Sequence, residues 1–461
     1  MKLKVKNIAG IGSATLDFNG ITVIAGENNT GKSTIGKSIY SILSGLSTPV
    51  SVFYRKVLYS LCNILRRYMN YYKGPDPSFG QPNIYEFASK ILLKTFSDES
   101  LSDITTARSF YAKTSEEMTS DYLKYLQSLV SLDKNNDKDF YENFPFHDLV
   151  KDINRLGDIS FSSFINQIVI VTINSEFKSQ VVNFSCKDSA LIRLFFDNGD
   201  EALFEANENA EEQKFSFSGS NLNFSDIYSS PVYIDSPFVI DDMKCLDNSL
   251  DDFLEYSKTN SLHSQQLTQL LKKSSNSLNI VDKIINESLL KDVLEKLSSI
   301  YKGEIVKDKD GFFIKSDKYG TKQLNVSNLS SGLKIFAILK QLIINGVLKS
   351  NSFLIFDEPE IHVHPKLQIV LAEIIVLLRN LLKIQVIITS HSPYFIEAID
   401  VFSRKHNLYE DIKFYLSSTD SNGYFTFVDK TQEQESIYKL LAATFQVLED
   451  ETAWLNDKNN V

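Results

Sequence analysis

The chain has 461 residues, of which 43% are hydrophobic, 12% aromatic and 23% charged; this excludes wholesale disorder and gives length enough for two or three subdomains. Asp and Glu outnumber Lys and Arg by 58 to 48, a net charge of −10, so no global basic field draws the molecule onto nucleic acid, and any such contact needs a local patch or a partner. Apolar runs such as Ile168 to Val171 fall far short of the roughly 18 to 20 residues that cross a bilayer, and Cys62, Cys186 and Cys245 fit neither a metal-ligand spacing nor a disulfide framework, which points to a reducing cytoplasm.

From the N-terminus, Met1-Lys2-Leu3-Lys4-Val5-Lys6 alternates charge with apolar side chains and reads as an edge strand rather than a signal peptide. Strands are expected at about Leu3 to Ile8, Ala14 to Phe18 and Ile21 to Ala25, then a Gly-containing loop and a helix over about Lys32 to Leu43. Apolar residues at three- and four-residue spacing predict helices at Val52 to Tyr72, Ile84 to Phe96, Glu116 to Leu132 and Phe161 to Phe177, a helical insertion. A β-rich portion follows, with a hairpin of Leu191 to Phe196 and Ala202 to Ala206 around Asn198-Gly199-Asp200, and strands at Lys214 to Phe217 and Pro231 to Ile234. Helices at Leu262 to Leu271 and Leu278 to Ile300 and a hairpin near Tyr301 to Lys315 lead into alternating elements: helix Gly332 to Leu348, strand Phe353 to Phe356, helix Pro365 to Leu382, strand Gln385 to Thr389 and helix Tyr394 to Ala398. A hairpin of Asp411 to Ser417 and Tyr424 to Val428 and an amphipathic helix near Glu433 to Phe445 close the chain. Alternation of this kind implies a sheet with helices on its faces.

Four segments carry chemistry. Gly26-Glu27-Asn28-Asn29-Thr30-Gly31-Lys32-Ser33 matches G-x-x-x-x-G-K-[ST] between a strand and a helix that continues with Thr34. In such a loop backbone amides curl around phosphate oxygens, Lys32 reaches the β and γ phosphates, and the Ser33 hydroxyl binds Mg²⁺. The strand Phe353 to Phe356 delivers Asp357 and Glu358 at its C-terminal end, where ligands of open α/β sheets bind. Asp357 is the second Mg²⁺ residue, directly or through water, and Glu358 the general base for an attacking water. Ser330, Ser331 and Gly332 precede an amphipathic helix with Ile335, Ile338, Leu339, Leu342 and Ile343 on one stripe; they form either a second anion site or an ordinary N-cap. His391, after the strand ending in Thr389-Ser390, sits beside the carboxylate-bearing strand, within reach of a γ phosphate.

In this order, Gly26 to Ser33, Leu329 to Gly332, Asp357-Glu358-Pro359-Glu360 and Thr389-Ser390-His391-Ser392-Pro393 resemble the ATP-binding-cassette (ABC) ATPases of the SMC, RecF and OLD type. More closely, Ser330 to Lys334 and Asp357 to Pro365 resemble stand-alone ATPase subunits of bacterial antiphage systems such as Septu and PARIS. The resemblance covers residues 1 to about 45 and about 300 to 429 well and the middle poorly. It implies an α/β fold: an ABC-ATPase head with a mixed, largely parallel sheet, flanking helices and an antiparallel β portion, interrupted by a large helical insertion. The expected divisions are 1–46 (N-terminal lobe of the head), 47–180 (insertion), 181–242 (β-rich part), 243–300 (second helical segment) and 301–461 (C-terminal lobe).

The same resemblance implies ATP and Mg²⁺ as ligands and a head-to-head homodimer or higher homo-oligomer. ATP on Lys32 and Ser33 of one copy is closed over by Ser330 and Gly332 of the other. This chain departs from the cassette pattern in three places. Ser331 fills the place of the first signature glycine, His364 stands where many cassettes have an Asp, and the Mg²⁺-sensing glutamine has only Gln167 and Gln180 as candidates. Glu360, His362 and His364 read as structural or subunit-contact residues rather than a metal site. Asp241, Asp242, Asp247, Asp251 and Asp252 read as a solvated face rather than a nuclease centre, and the pairs Arg66-Arg67 and Lys272-Lys273 as solvated surface. With no OLD-type nuclease motif expected after His391, the favoured function is an ATP-gated sensor and scaffold holding a separate effector, a nuclease or other toxin. The alternative is a RecF-like repair ATPase acting directly on DNA.

Overall fold

A computed structural model of the chain describes residues 1–50, 158–183, 189–209, 212–219, 230–242, 261–272, 288–308, 311–315, 324–441 and 449–452, with single positions between 52 and 155. The chain divides into two compact units, residues 48–167 and the remainder. In the first unit the described positions between 52 and 67 are helical, and Phe53 packs against the rings of Phe161 and Phe164 at 5.7 and 5.2 Å. The helices expected at Ile84 to Phe96 and Glu116 to Leu132, all three cysteines, and Asp247, Asp251 and Asp252 lie outside the described residues.

The second unit is built on an eleven-stranded mixed sheet in the order β6-β5-β4-β1-β2-β14-β13-β3-β12-β11-β7. Its strands are β1 (Lys2–Ile8), β2 (Ile11–Asp17), β3 (Ile21–Gly26), β4 (Ala190–Phe195), β5 (Glu201–Asn209), β6 (Glu212–Ser218), β7 (Val232–Ile234), β11 (Phe353–Asp357), β12 (Gln385–Ser390), β13 (Ile412–Thr419) and β14 (Phe425–Asp429). β8 (Glu304–Asp308), β9 (Gly311–Lys315) and β10 (Leu324–Asn325) make a separate three-stranded sheet. β13, β3, β12, β11 and β7 run parallel to one another, whereas β6, β5, β4, β1 and β2 are antiparallel. The sheet thus has a parallel half continued by an antiparallel lobe, the mixed α/β arrangement expected from the sequence.

The burial patterns follow this division. Every residue of β3 is buried, as befits a parallel strand covered on both faces. β1 instead alternates Leu3 and Val5 inward with exposed Lys4 and Lys6. That alternation reports one wet face, not an edge: β1 pairs with β4 on one side and β2 on the other, and the sheet edges are β6 and β7.

The helices are α1 (Lys32–Leu46), α2 (Phe161–Glu176), α3 (Leu262–Lys272), α4 (Lys291–Ile300), α5 (Ser331–Ile344), α6 (Pro365–Leu382) and α7 (Pro393–Lys405). The expected stripe of α5 is buried together with Leu371, Ile374 and Leu378 of α6 and Val23, Phe356 and Ile388 of the sheet in one core. α5 stops at Asn345, whose side chain donates to the Leu270 and Leu271 carbonyls, before the expected Leu348. α7 runs well past the expected Ala398, started by the Ser392 cap and Pro393. No helix among the described residues is long and apolar enough to cross a membrane.

Candidate functional site

The parallel strands β3, β12 and β11 place three segments side by side at their C-terminal ends: the glycine loop, Thr389-Ser390-His391 and Asp357-Glu358. The loop needs its glycines on steric grounds. Gly26 has φ +153° and Gly31 φ +80°, and a Cβ on either would collide with Ser417 or with the Phe425 ring. Thr30 Oγ1 donates to the Glu27 carbonyl at 2.8 Å, and Ser417 Oγ, 2.6 Å away and 3.1 Å from the Ala25 carbonyl oxygen, can give its one proton to either. β13 thus supports the loop from behind, a contribution no motif announced. Glu27, Asn28 and Asn29 form the exposed crest.

Lys32 is buried, and its ammonium donates to the carbonyls of Gly26 at 3.1 Å and Glu27 at 2.6 Å, inside the loop's own curve. The same nitrogen is 3.5 Å from Glu358 Oε1. Ser33 Oγ donates to Asp357 Oδ1 at 2.9 Å. Ser33 and Asp357 thus bring two hard oxygens together, a donor set that would suit Mg²⁺. Thr389 Oγ1 donates to the same Asp357 oxygen, and the Tyr233 hydroxyl donates to the other, Oδ2, at 2.8 Å.

Glu358 sits in a left-handed turn with φ +53°, a conformation that costs a non-glycine residue roughly 1 to 2 kcal/mol. Its amide is held by the Thr389 carbonyl at 3.0 Å and Thr389 Oγ1 at 3.1 Å, and the turn swings its carboxylate over the loop. There Oε1 is 3.6 Å from His391 Nδ1. The His391 imidazole outweighs the effect of burial and, with Lys32, holds the Glu358 carboxyl below its usual value; His391 is raised in return, chiefly by Glu358.

The remaining candidates fall into place around this centre. Glu360 is buried, accepts from the Ser390 hydroxyl and the His391 and Ser392 amides, and burial pushes its carboxyl up. His364 caps α6, accepting from the Lys366 amide, and His362 meets the Phe238 ring edge-on at 5.4 Å. These are structural bonds, and no group of three or more His, Cys, Asp or Glu side chains among the described residues could hold a metal.

The helix α5 begins at Ser331; Ser330 stands at its N-cap in an extended conformation, its carbonyl accepting from the Leu333 amide at 2.9 Å while its hydroxyl makes no cap bond. Gly332 lies against the backbone of His362 and Val363, and a Cβ there would come within 2.9 Å of the His362 carbonyl oxygen. Two residues on, Lys334 forms a bidentate ion pair with Asp241, 2.6 Å to each oxygen. Asp241 is therefore not part of a free solvated face: it anchors the start of α5. Asp242 ends the 3-10 turn Pro237–Asp242.

A cavity of about 600 Å³ opens beside the loop, lined by Asn29 to Thr34, Glu358, the turns at Ala9-Gly10 and Asn422 to Phe425, and Gln180 with Asn183. Gln180 thus meets the loop's cavity, whereas Ser330, Ser331 and Gly332 are not among its lining residues. Tyr233, Thr389 as an Asp357 partner and Ser417 went unmarked in the sequence. Each becomes visible only once β7, β12 and β13 are known to flank β11 and β3.

The family model described as AAA ATPase domain matches residues 1–396. No curated protein matches the sequence. Among solved structures, an SMC head bound to the C-terminal winged-helix domain of ScpA superposes with TM-score 0.43 at 12% identity, over 94% of this chain and 98% of that one. The SMC head domain from Thermotoga maritima gives 0.37 at 13% identity, over 93% and 97%. An Smc head with an extended coiled coil, bound to a ScpA domain derived from Pyrococcus furiosus, gives 0.41 at 14%, over 98% of both.

Proposed function

The chain belongs to the AAA ATPase domain family, and from that premise we propose that it is an ABC-type ATPase that closes head-to-head around ATP and Mg²⁺ and regulates a separate effector in antiphage defence. The observation that carries the ATPase part is the convergence of Lys32, Ser33, Asp357 and Glu358 within hydrogen-bond or ion-pair distance at the ends of adjacent parallel strands.

Glycine-loop amides and the N-terminus of α1 receive the phosphates. Lys32 exchanges the Gly26 and Glu27 carbonyls for phosphate oxygens, and Ser33 and Asp357 would hold Mg²⁺, which would supply charge to offset that of the phosphates. As Lys32 turns to the phosphates, Glu358 loses a counter-charge that now holds its carboxyl down. Its basicity rises when a water has to be oriented and its proton accepted. His391, beside Glu358, donates to the γ phosphate. Gln180, in the same cavity, is the stronger candidate of the two glutamines for sensing Mg²⁺.

Ser330, Ser331 and Gly332 lie outside the lining of this cavity, and in the dimer that the motif order implies they would meet the nucleotide held by a second copy. Two composite sites then form on one twofold axis. ATP acts as a conformational ligand, favouring the closed state by its differential affinity, and hydrolysis releases it.

The sensor and scaffold role rests on the resemblance of the Ser330 to Lys334 and Asp357 to Pro365 segments to defence-system ATPase subunits, and on the net charge of −10, which disfavours direct DNA processing. The test is purification of the chain with the products of its neighbouring genes, alongside ATPase assays with and without DNA. A stoichiometric effector released or activated by nucleotide is expected. DNA-stimulated hydrolysis with a steep inverse salt dependence and no effector would overturn the scaffold reading in favour of a RecF-like enzyme.

A further inference from the structure

Behind Asp357 lies a buried polar cluster that the proposed hydrolysis does not use. Tyr233, at the centre of β7, is buried, and burial followed by the neighbouring Asp357 pushes its phenol well above the usual value, so it remains a hydrogen-bond donor to Asp357 Oδ2. Its ring passes over Gly36 of α1, where a Cβ would stand 3.0 Å from the ring. A glycine inside a helix gives up about 1 kcal/mol relative to alanine, and here its absent side chain makes the space that Tyr233 fills. The Tyr40 ring meets Tyr233 edge-on at 5.7 Å, and the His263 ring lies against it with centroids 4.5 Å apart.

His263 is fixed in turn by two carboxylates. Its Nδ1 is 2.5 Å from Glu176 Oε2 and its Nε2 2.9 Å from Asp235 Oδ2, while its own amide donates to Glu176 Oε1 at 3.1 Å. The bracket joins the end of α2, the start of α3 and the segment just after β7. Asp235 is two residues beyond Tyr233, so the clamp acts on the backbone that carries the tyrosine as well as on its ring.

We propose that Tyr233 is a positioning residue for the Mg²⁺-binding carboxylate and that the Glu176–His263–Asp235 bracket holds it there. With Oδ2 occupied by the phenol and Oδ1 facing Ser33, the Asp357 carboxylate cannot rotate, and the oxygen pair offered to the cation is set before it arrives. Outer partners of metal ligands act in this way, and their loss commonly weakens metal binding tenfold or more. The inference rests on the reading of Ser33 and Asp357 as the Mg²⁺ residues.

The experiment titrates Mg²⁺ against a fluorescent ATP analogue and the full chain carrying Glu358→Gln, so that nucleotide is not consumed, with and without Tyr233→Phe or His263→Gln. Thermal melts establish that each variant is folded, and Asp235→Asn replaces His263→Gln should the latter not fold. The expected result is a rise of about tenfold in the Mg²⁺ concentration giving half-maximal binding, with affinity in excess chelator unchanged. An unchanged Mg²⁺ midpoint in Tyr233→Phe overturns the positioning role and leaves the Mg²⁺ site standing. Nucleotide binding that is independent of Mg²⁺ in the Glu358→Gln parent overturns both.

Discussion

Lys32 Nζ and Glu358 Oε1 stand 3.5 Å apart, so the cation that receives phosphate and the base that serves the attacking water are paired with each other before nucleotide enters. Both are largely withdrawn from solvent, with side-chain exposures of 3% and 22%. The site is therefore preorganised but electrostatically self-satisfied, and ATP has to compete with a carboxylate for the lysine.

That competition separates two substitutions. Lys32→Ala removes the phosphate-binding charge together with the bonds that hold Gly26 and Glu27 in the loop, and nucleotide binding is expected to be abolished. Glu358→Gln keeps the shape, releases Lys32 from its ion pair, and should bind ATP at least as tightly while losing about 10² to 10⁴-fold in turnover. Its closed dimer should accumulate, visible by sedimentation with ATP. Hydrolysis at the parent rate would remove Glu358 from its assigned role.

Thr389→Val tests the link between the cation and the water-activating side. One hydroxyl donates to Asp357 and receives the amide of Glu358, which is held at φ +53°. Valine keeps the volume and β-branching but drops both bonds, so the strained turn loses a restraint. The expected outcome is a kcat lowered roughly tenfold or more, with nucleotide affinity changed much less, as steady-state kinetics and equilibrium binding would show. Equal losses in both would mean that the threonine serves only the fold.

Gly332→Ala places a Cβ within 2.9 Å of the His362 carbonyl oxygen, which is backbone and cannot turn aside. The start of α5 must shift, at a cost of about 1 to 3 kcal/mol. Thermal melts should record that loss, and ATP-dependent dimerisation of the Glu358→Gln chain should fall with it. Binding of nucleotide to the isolated head should not change, because Gly332 does not line the cavity.

The elements legible in the sequence were those with a local signal. The buried run of β3, the glycine loop and the stripe of α5 stand within a few residues of their expected positions, because each is set by burial periodicity or by a steric demand on one residue. The alternation in β1 predicts an edge strand, but β1 is paired on both sides, because alternation reports a wet face and carries no information on how many neighbours a strand has. Asp241 looked like one acid among several, and its pairing with Lys334 depends on a contact between residues 93 apart. Tyr233 carries no motif at all. Its partners Asp357 and His263 come from other segments of the chain, and only the parallel pairing of β7 with β11 brings the phenol to the carboxylate.

The Glu176–His263–Asp235 bracket makes stability fall on the alkaline side. Burial opposes a charged ring, but hydrogen bonds to Asp235 and then Glu176 outweigh it and raise the His263 pKa from 6.5 to about 9. The groups facing it are these two carboxylates, Tyr40 and Tyr233, whose phenols burial pushes up, and Lys37 near Asp235. With the folded value above the unfolded one, the contribution is complete below pH 6.5 and disappears as pH rises through about 9, amounting to roughly 3 kcal/mol in all. Melting temperatures should accordingly drop between pH 7 and about 10. His263→Gln abolishes that dependence and, by leaving Glu176 buried without a counter-charge, destabilises the chain at pH 7 by about 3 to 5 kcal/mol. Adding Glu176→Gln removes the stranded charge and should recover most of the loss. A His263→Gln chain with the parent's alkaline limb would show that another group titrates there.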